Sequence, residues 1–247
     1  MGVTKNFFQA KPWTEILADQ GYRNLAQREL EVLRRFTTEF STHRETVVHL
    51  GVGGFREIPY IIESVKPCMY VVNDIVEEVA NSVATEGQKV YPEISFRAIC
   101  ADLDHPDTIK VLHKQAIIGT MFILAGNGVI FANRELDQRI ATVMNSCDLF
   151  MVTVETPHDN LAANYRIPAC YELLSQSGLD VREDNTDIWY DESDQCLKVA
   201  CKGRVLLTSY KPTVQQLRQR LANAGLVEVS LKEYPDIHMI GGLFKKK

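Results

Sequence analysis

The sequence has no Cys-x-x-Cys pair, no apolar signal core near residue 1 and no hydrophobic run long enough to span a bilayer. Its six cysteines occur singly, so no zinc or other metal site is predicted. The formal net charge of −5 excludes the strongly basic surface that proteins use to bind nucleic acid. We therefore expect a cytoplasmic protein that binds neither nucleic acid nor a membrane.

The first two thirds of the chain alternate between short apolar runs and helical patterns. Such alternation predicts a parallel sheet with helices on both faces. The fold class is therefore α/β and Rossmann-like, with a mostly parallel central sheet and an insertion after the fifth strand. The predicted strands of this part are 46–50, 69–73, 94–99, 120–124 and 149–154.

We interpret residues 1–247 as one domain, because no repeat or low-complexity linker divides them. Residues 1–44 are expected to form a helical lead-in that caps the site, and 45–154 the cofactor-binding core. Residues 155–195 are polar, aromatic and irregular, as expected of a substrate-binding insertion. Residues 196–247 are predicted to complete the sheet.

A glycine cluster follows the first predicted strand and predicts a ligand loop made by Gly51, Val52, Gly53 and Phe55. A dinucleotide fingerprint needs a third glycine, but Arg56 stands at that position. A phosphate loop of the Walker type is also excluded, since no Gly-Lys-Ser/Thr follows. S-adenosylmethionine, which has no phosphate, fits such a loop; a tight turn without a ligand is the alternative.

Acidic residues end the second and third predicted strands. Asp74 is placed to accept hydrogen bonds from ribose hydroxyls, although it could instead cap the following helix. Asp102 could accept a hydrogen bond from an adenine amino group or lie in a solvated loop. Ile75 and Leu103 follow these acids and could enclose the adenine ring.

The remaining candidates lie in the turn after the fourth strand and in the insertion. Ala125 and Gly126 are assigned to the cofactor, and Asn127 to catalysis and to the substrate, with a left-handed turn role as its alternative. Glu155 is the best candidate to contact a substrate nitrogen, and His158 could act as a base. The further substrate candidates are Tyr22, Tyr165 and Ser209.

At this point the chain resembles a class I S-adenosylmethionine-dependent methyltransferase over roughly residues 45–155. The segments that carry the resemblance are His49-Leu-Gly-Val-Gly-Gly-Phe55, Asp74, Cys100-Ala-Asp102 and Phe122-Ile-Leu-Ala-Gly-Asn127. The segment Leu207-Thr-Ser-Tyr-Lys-Pro-Thr213 and the following Ala224-Gly225-Leu226 are similar to the histidine-specific, ergothioneine-pathway type. Gln27-Arg28-Glu29 resembles the Thr-Arg-x-Glu segment of that family.

This resemblance implies N-methylation of a small amine or amino-acid-derived metabolite, as in natural product biosynthesis. Leu207 stands where the family has an acidic ligand of the imidazole, while Ser209 is retained, so histidine itself is not indicated. The expected partner is a small-molecule methyl acceptor, and monomer and homodimer both stay open. The alternatives are a non-catalytic Rossmann-like domain that binds a cofactor or partner, and an NAD-dependent oxidoreductase.

Overall fold

The computed structural model describes residues 20–39, 42–117, 119–126, 132–176 and 178–247, with residues 20–25 described by their backbone alone. The candidates Tyr22, by its side chain, and Asn127 thus lie outside the described residues. Within the described part of the chain, no helix has the length and apolar character needed to cross a membrane.

Helices and strands alternate along the chain as far as the fifth strand. The helices are α1 (Gln20–Thr38), α2 (Ile58–Val65), α3 (Glu77–Val90), α4 (Thr108–His113), α5 (Leu136–Val143), α6 (Leu161–Asn164), α7 (Pro168–Ser175) and α8 (Val214–Asn223). The strands are β1 (Thr46–Leu50), β2 (Met69–Asp74), β3 (Ser95–Cys100), β4 (Thr120–Leu124), β5 (Leu149–Glu155), β6 (Thr186–Asp191), β7 (Cys196–Cys201), β8 (Arg204–Tyr210), β9 (Leu226–Tyr234) and β10 (Met239–Lys246).

Seven strands form the central sheet in the order β3-β2-β1-β4-β5-β10-β9. β1 to β5 are parallel, and β10 runs antiparallel to both β5 and β9. Every residue of β1, β4 and β5 is buried, which explains their nearly continuous apolar sequences, because helices cover both faces of a parallel sheet. The predicted α/β fold with a mostly parallel sheet is confirmed.

The carboxyl ends of the parallel strands meet at one edge of the sheet, which we call the carboxyl edge. Along it lie the ends of β3, β2, β1, β4 and β5, in that order, with neighbours about 4.8 Å apart. The strand order reverses between β1 and β4, since the chain leaves β1 towards β2 and later returns to β4 on the other side. Ligands of open α/β sheets bind at such a reversal.

A second sheet follows β5 and contains β6, β7 and β8, all antiparallel. The predicted boundary between residues 195 and 196 falls inside the β6–β7 hairpin, so 196–210 belong to this second sheet and not to the central one. The prediction that all of 196–247 complete the central sheet is thus wrong for 196–210, because side-chain alternation does not specify which sheet a strand joins. Lys202 and Gly203, both with positive φ, form the tight turn between β7 and β8.

The lead-in helix α1 packs on the central sheet near β5 and β10. Its residues Val32, Leu33 and Phe36 are fully buried, as the helical spacing of its apolar residues predicts. Phe36 lies directly on Gly241 of β10, where a Cβ atom would meet the ring at 2.6 Å. This close approach fixes α1 across the sheet, so that its N-terminal half reaches the carboxyl edge.

Candidate active site

The glycine loop after β1 is fastened to the end of β2. Gly51 and Gly53 have φ of 64° and 60°, a left-handed conformation that only glycine adopts without strain. The amide of Val52 donates to the carbonyl oxygen of Asn73 at 3.0 Å, and the amide of Gly53 donates to Oδ2 of Asp74, also at 3.0 Å. The loop therefore turns at the carboxyl edge. Because Gly51 and Gly53 have no side chains, a ligand can approach their backbone directly.

Asp74 ends β2 beside this loop, and its carboxylate links two turns. Oδ2 accepts from the Gly53 amide, while Oδ1 accepts from the amide of Val76 at 2.9 Å, just before α3 begins. Burial raises the pKa of Asp74, and these backbone hydrogen bonds act in the opposite direction. The N-cap residue of α3 is Val76, not Asp74. Each carboxylate oxygen of Asp74 can accept a second hydrogen bond, so its two backbone contacts leave capacity for ribose hydroxyls.

The predicted adenine residues follow the ends of two neighbouring strands, Ile75 after β2 and Asp102 and Leu103 after β3. Oδ1 of Asp102 accepts from the amide of Asp104 at 3.0 Å. Leu103 is buried among the residues packed between α4, α5 and the sheet, whereas Ile75 is half-buried. Ile75 and Asp102 are therefore accessible at the carboxyl edge, and Leu103 contributes mainly to the core.

Asn73 is a residue of this edge that the sequence reasoning missed. Its side-chain amide donates to the carbonyl oxygens of Ile99 at 3.1 Å and Ala101 at 3.0 Å. It therefore ties the end of β2 to the segment that carries Asp102. An asparagine inside an apolar strand was the available signal, because a buried amide needs partners.

Gly126, after β4, is packed against Glu29 of α1. Its φ is 61°, and a Cβ atom there would lie 2.6 Å from Cδ and 2.8 Å from Oε1 of Glu29. The amide of Gly126 donates to Thr153 of β5, at 2.8 Å to Oγ1 and 3.1 Å to the carbonyl oxygen. Ala125 is buried beside it. The Glu29 carboxyl therefore lies at the carboxyl edge, over the end of β4.

Gly126→Ala should lower the free energy of unfolding by more than the roughly 1–2 kcal/mol that a left-handed backbone costs an L-residue. The added Cβ must also displace Glu29. Gly203→Ala is the matched control, because Gly203 has φ of 76° but nothing within 4 Å of its Cβ position. Urea denaturation of both variants measures the difference, and equal losses would contradict the close packing of Glu29 on Gly126.

Glu155, at the end of β5, is the centre of a buried charged cluster. Its Oε1 lies 2.7 Å from Nη2 of Arg28 on α1, and its Oε2 lies 2.8 Å from Nζ of Lys211. The Tyr165 hydroxyl donates to Oε2 at 2.9 Å, and Lys211 Nζ lies 2.7 Å from the same hydroxyl. Two cations from distant parts of the chain thus converge on one carboxylate.

The electrostatics of this cluster keep Glu155 ionised. Burial favours the neutral carboxyl, but Lys211, His158 and Arg28 together outweigh burial and hold the pKa of Glu155 well below its ordinary value. Burial, followed by the charges of Glu155 and Glu29, raises the pKa of Tyr165 far above its ordinary value. Tyr165 is therefore a neutral hydrogen-bond donor at neutral pH.

His158 joins the cluster from the loop after β5. Its Nε2 lies 3.3 Å from Oε1 of Glu155, and its ring stacks on that of His238 with a centroid distance of 4.2 Å. The sequence-predicted residues Glu155, His158 and Tyr165 are thus brought together. Their separation of ten residues or fewer along the chain made this grouping predictable.

Ser209 lies elsewhere, in β8, where it is buried opposite Leu197 of β7. Lys211, two residues later, reaches Glu155 instead. The sequence reasoning also missed Arg28 and Glu29 as site residues, although the segments that contain them were similar to family segments. Leu207 packs against the apolar residues of the second sheet, consistent with its lack of charge.

The carboxyl edge fits S-adenosylmethionine better than a dinucleotide. The glycine loop and Asp74 fit a nucleoside, but Arg56 occupies the helix-packing glycine position of dinucleotide sites. Among the residues that the structure describes, no group of three or more His, Cys, Asp or Glu side chains could hold a metal ion.

Comparison with known proteins agrees with this geometry. The model of the family described as "histidine-specific methyltransferase, SAM-dependent" matches residues 10–177. A search of curated proteins finds no match.

The fold is similar to those of several solved methyltransferases. The magnesium protoporphyrin IX methyltransferase of Synechocystis PCC 6803, solved with bound S-adenosylhomocysteine, is 10% identical with a TM-score of 0.56, over 99% of this chain and 98% of that one. A putative methyltransferase of Haloferax volcanii, in complex with the activator Trm112, is 10% identical with a TM-score of 0.54, over 97% and 99%. An S-adenosylmethionine-dependent methyltransferase of Clostridium acetobutylicum is 10% identical with a TM-score of 0.50, over 97% and 92%.

Proposed function

The chain belongs to the histidine-specific, S-adenosylmethionine-dependent methyltransferase family, and on this basis we propose that it methylates the nitrogen of a small, amine-bearing acceptor. Family membership makes it a methyltransferase that uses S-adenosylmethionine, so the alternatives of a non-catalytic domain and a dehydrogenase are set aside. Nitrogen as the acceptor atom and the small size of the acceptor are our proposal.

One observation carries the proposal: the predicted cofactor residues and the Glu155 cluster lie along a single edge of the sheet. We assign the adenine and ribose to Asp102, Ile75 and Asp74, at the ends of β3 and β2. The glycine loop at β1 and Gly126 at β4 then hold the methionine portion. Because β5 comes next in the sheet order, the acceptor is assigned to the cluster at its end.

The bound cofactor supplies an electrophilic methyl carbon, and the residues of this chain provide alignment and exclusion of water. The acceptor nitrogen must present its lone pair and must lose a proton in the course of the transfer. His158 is our candidate to take that proton, since its imidazole lies within reach of the same carboxylate that would hold the amine. Its contact with Oε1 of Glu155, at 3.3 Å, orients the imidazole.

The composition of the cluster favours an acceptor that offers a neutral, hydrogen-bonding nitrogen, because Arg28 and Lys211 already supply two positive charges to the Glu155 carboxylate. Oε1 of Glu155 faces Arg28 and His158, and Arg28 is the more exposed of the two cations that contact Glu155. We therefore place the acceptor amine at Oε1, beside Arg28. Lys211 and Tyr165 hold the other oxygen and fix the carboxylate.

The test is methyl transfer from S-adenosylmethionine to parallel panels of amines, amino acids, phenols and carboxylic acids, read by mass spectrometry. We expect methylated nitrogen in the products. His158→Gln should lower kcat on the order of a hundredfold with a smaller change in KM, whereas the exposed control Asp107→Asn should not change kcat. Transfer to oxygen or carbon alone would overturn the assignment of nitrogen.

The cellular setting stays a prediction. A cytoplasmic location and a free small-molecule acceptor are part of the proposal, as is the absence of a nucleic-acid partner. Size-exclusion chromatography with light scattering distinguishes the monomer from the homodimer.

A further inference from the structure

The Glu29 carboxyl lies at the carboxyl edge but belongs to neither the ribose site nor the Glu155 ion pairs. We propose that Glu29 is the counter-ion of the sulfonium of S-adenosylmethionine, so that the protein prefers the charged methyl donor to its neutral-sulfur product. This inference rests on the proposed placement of the cofactor. Glu29 is thereby a specificity residue. It recognises the positive charge on the cofactor sulfur, and the sulfur loses this charge when the methyl group is transferred.

The position of Glu29 comes from its contact with Gly126. Gly126 follows β4, and β4 lies between β1, which carries the glycine loop, and β5, which carries Glu155. A cofactor whose ribose lies at Asp74 and whose methyl group points towards Glu155 must pass the end of β4. Because a Cβ on Gly126 would overlap the carboxyl of Glu29, that carboxyl lies directly over this passage.

The charges around Glu29 leave it available for a cation. Five ionisable groups face the Glu29 carboxyl from neighbouring elements. They are the carboxylates of Glu57 and Glu155, the cations of Arg56 and Lys211, and the phenol of Tyr165. Lys211 is already bound to Glu155, and Arg56 is exposed. Glu57 lies 3.3 Å from Nε2 of the buried His49. The nearby cations therefore do not neutralise Glu29 by direct ion pairs among the described side chains.

The protonation state of Glu29 agrees with this arrangement. Burial, followed by the charges of Glu57 and Glu155, raises the pKa of Glu29 to about 8, against the opposing effects of Lys211 and Arg56. Glu29 is therefore mostly protonated at pH 7 without ligand. A sulfonium placed beside it favours the ionised form, so binding of the methyl donor should release a proton.

Linkage gives the sign of the pH effect. If the sulfonium lowers the pKa of Glu29, ionised Glu29 must bind the sulfonium more tightly by the same factor, about tenfold for each pKa unit. Affinity for S-adenosylmethionine should therefore rise as the pH rises towards and through about 8. S-adenosylhomocysteine has the same ammonium and carboxylate groups but an uncharged sulfur, so its affinity should rise much less.

The experiment is isothermal titration calorimetry of the full chain at pH 7 in two buffers that differ in protonation enthalpy. S-adenosylmethionine and S-adenosylhomocysteine are titrated separately. We expect release of close to one proton with the first ligand and clearly less with the second. In Glu29→Gln, which mimics the protonated carboxyl, the proton release and the rise in affinity with pH should both disappear.

Glu31→Gln is the matched control. Glu31 lies on the same helix, but its hydrogen bonds to Arg34 and Arg35 lower its pKa to about 2, so it stays ionised and should not contribute to proton release. Circular dichroism confirms that both variants fold. Equal proton release with the two ligands would overturn the proposal, because it would assign the effect to the shared ammonium.

Two further results would overturn the proposed counter-ion role of Glu29. One is proton release that persists in Glu29→Gln, and the other is S-adenosylmethionine binding to the wild type without proton release. Failure of the wild-type protein to bind either ligand would instead overturn the proposed cofactor site. Transfer to oxygen rather than nitrogen would leave the role of Glu29 intact. The failures of the two proposals are thus distinguishable.

Discussion

Asp74→Ala is expected to weaken S-adenosylmethionine binding on the order of a hundredfold, since each of two lost hydrogen bonds to ribose hydroxyls is worth about a factor of ten. The carboxylate also accepts from the Gly53 and Val76 amides, so the variant loosens the glycine loop as well. Both effects act on cofactor binding, which makes this the substitution with the largest expected effect on ligand affinity.

A deoxy analogue separates the two contributions. Wild-type protein should lose affinity for a 2′-deoxy form of S-adenosylmethionine, whereas Asp74→Ala should bind the two forms almost equally. Asp107→Ala, at an exposed carboxylate, is the control and should bind like the wild type. If Asp74→Ala kept wild-type affinity, the assignment of ribose to Asp74 would be wrong.

Lys211→Met should destabilise the protein by about 3 kcal/mol, because removing one partner of a buried ion pair leaves the other charge incompletely compensated. The exposed fractions of the Lys211 and Glu155 side chains are only 3% and 6%. Methionine fills a similar volume, so loss of charge dominates the effect. Urea denaturation at an unchanged m-value measures it.

Lys110→Met is the matched control for this substitution. Lys110 pairs with Asp107 at 3.3 Å, but both side chains are more than 60% exposed, so the loss should be within about 0.5 kcal/mol. A loss below about 1 kcal/mol in Lys211→Met would contradict the account of the cluster.

The pH dependence of the Lys211 effect has a defined sign. Since the folded protein holds the pKa of Glu155 below its ordinary value of 4.5, the stabilisation is fully present above that pH and decreases as the pH falls further. The difference in stability between wild type and Lys211→Met should therefore shrink below pH 4.5.

The sequence predicts the middle of the central sheet well because β1, β4 and β5 are buried on both faces. The apolar runs that end in Gly51, Asp74 and Gly126 mark both the strands and the edge where they finish. β6 was missed because it lies within 155–195, a polar and aromatic segment that is interpreted from the sequence as an irregular substrate-binding insertion. In the structure, alternate residues of Thr186–Ile188 are buried and exposed, as in a strand that covers a small separate core.

The Glu155 cluster was predictable only where its residues are close along the chain. Glu155, His158 and Tyr165 come from one continuous segment, whereas Arg28 and Lys211 approach from opposite ends of the sequence. A single sequence has no pattern that pairs residues so far apart. The raised pKa of Glu29 arises from burial and then from the charges of Glu57 and Glu155, an environment that depends on how α1 crosses the sheet.

The central claim is that the carboxyl edge binds S-adenosylmethionine, and titration of the wild-type protein with this ligand and with NAD, in parallel, tests it most directly. We predict saturable binding of S-adenosylmethionine and no binding of NAD, because Arg56 replaces the third glycine of a dinucleotide site. Binding of NAD without binding of S-adenosylmethionine or S-adenosylhomocysteine would contradict the account.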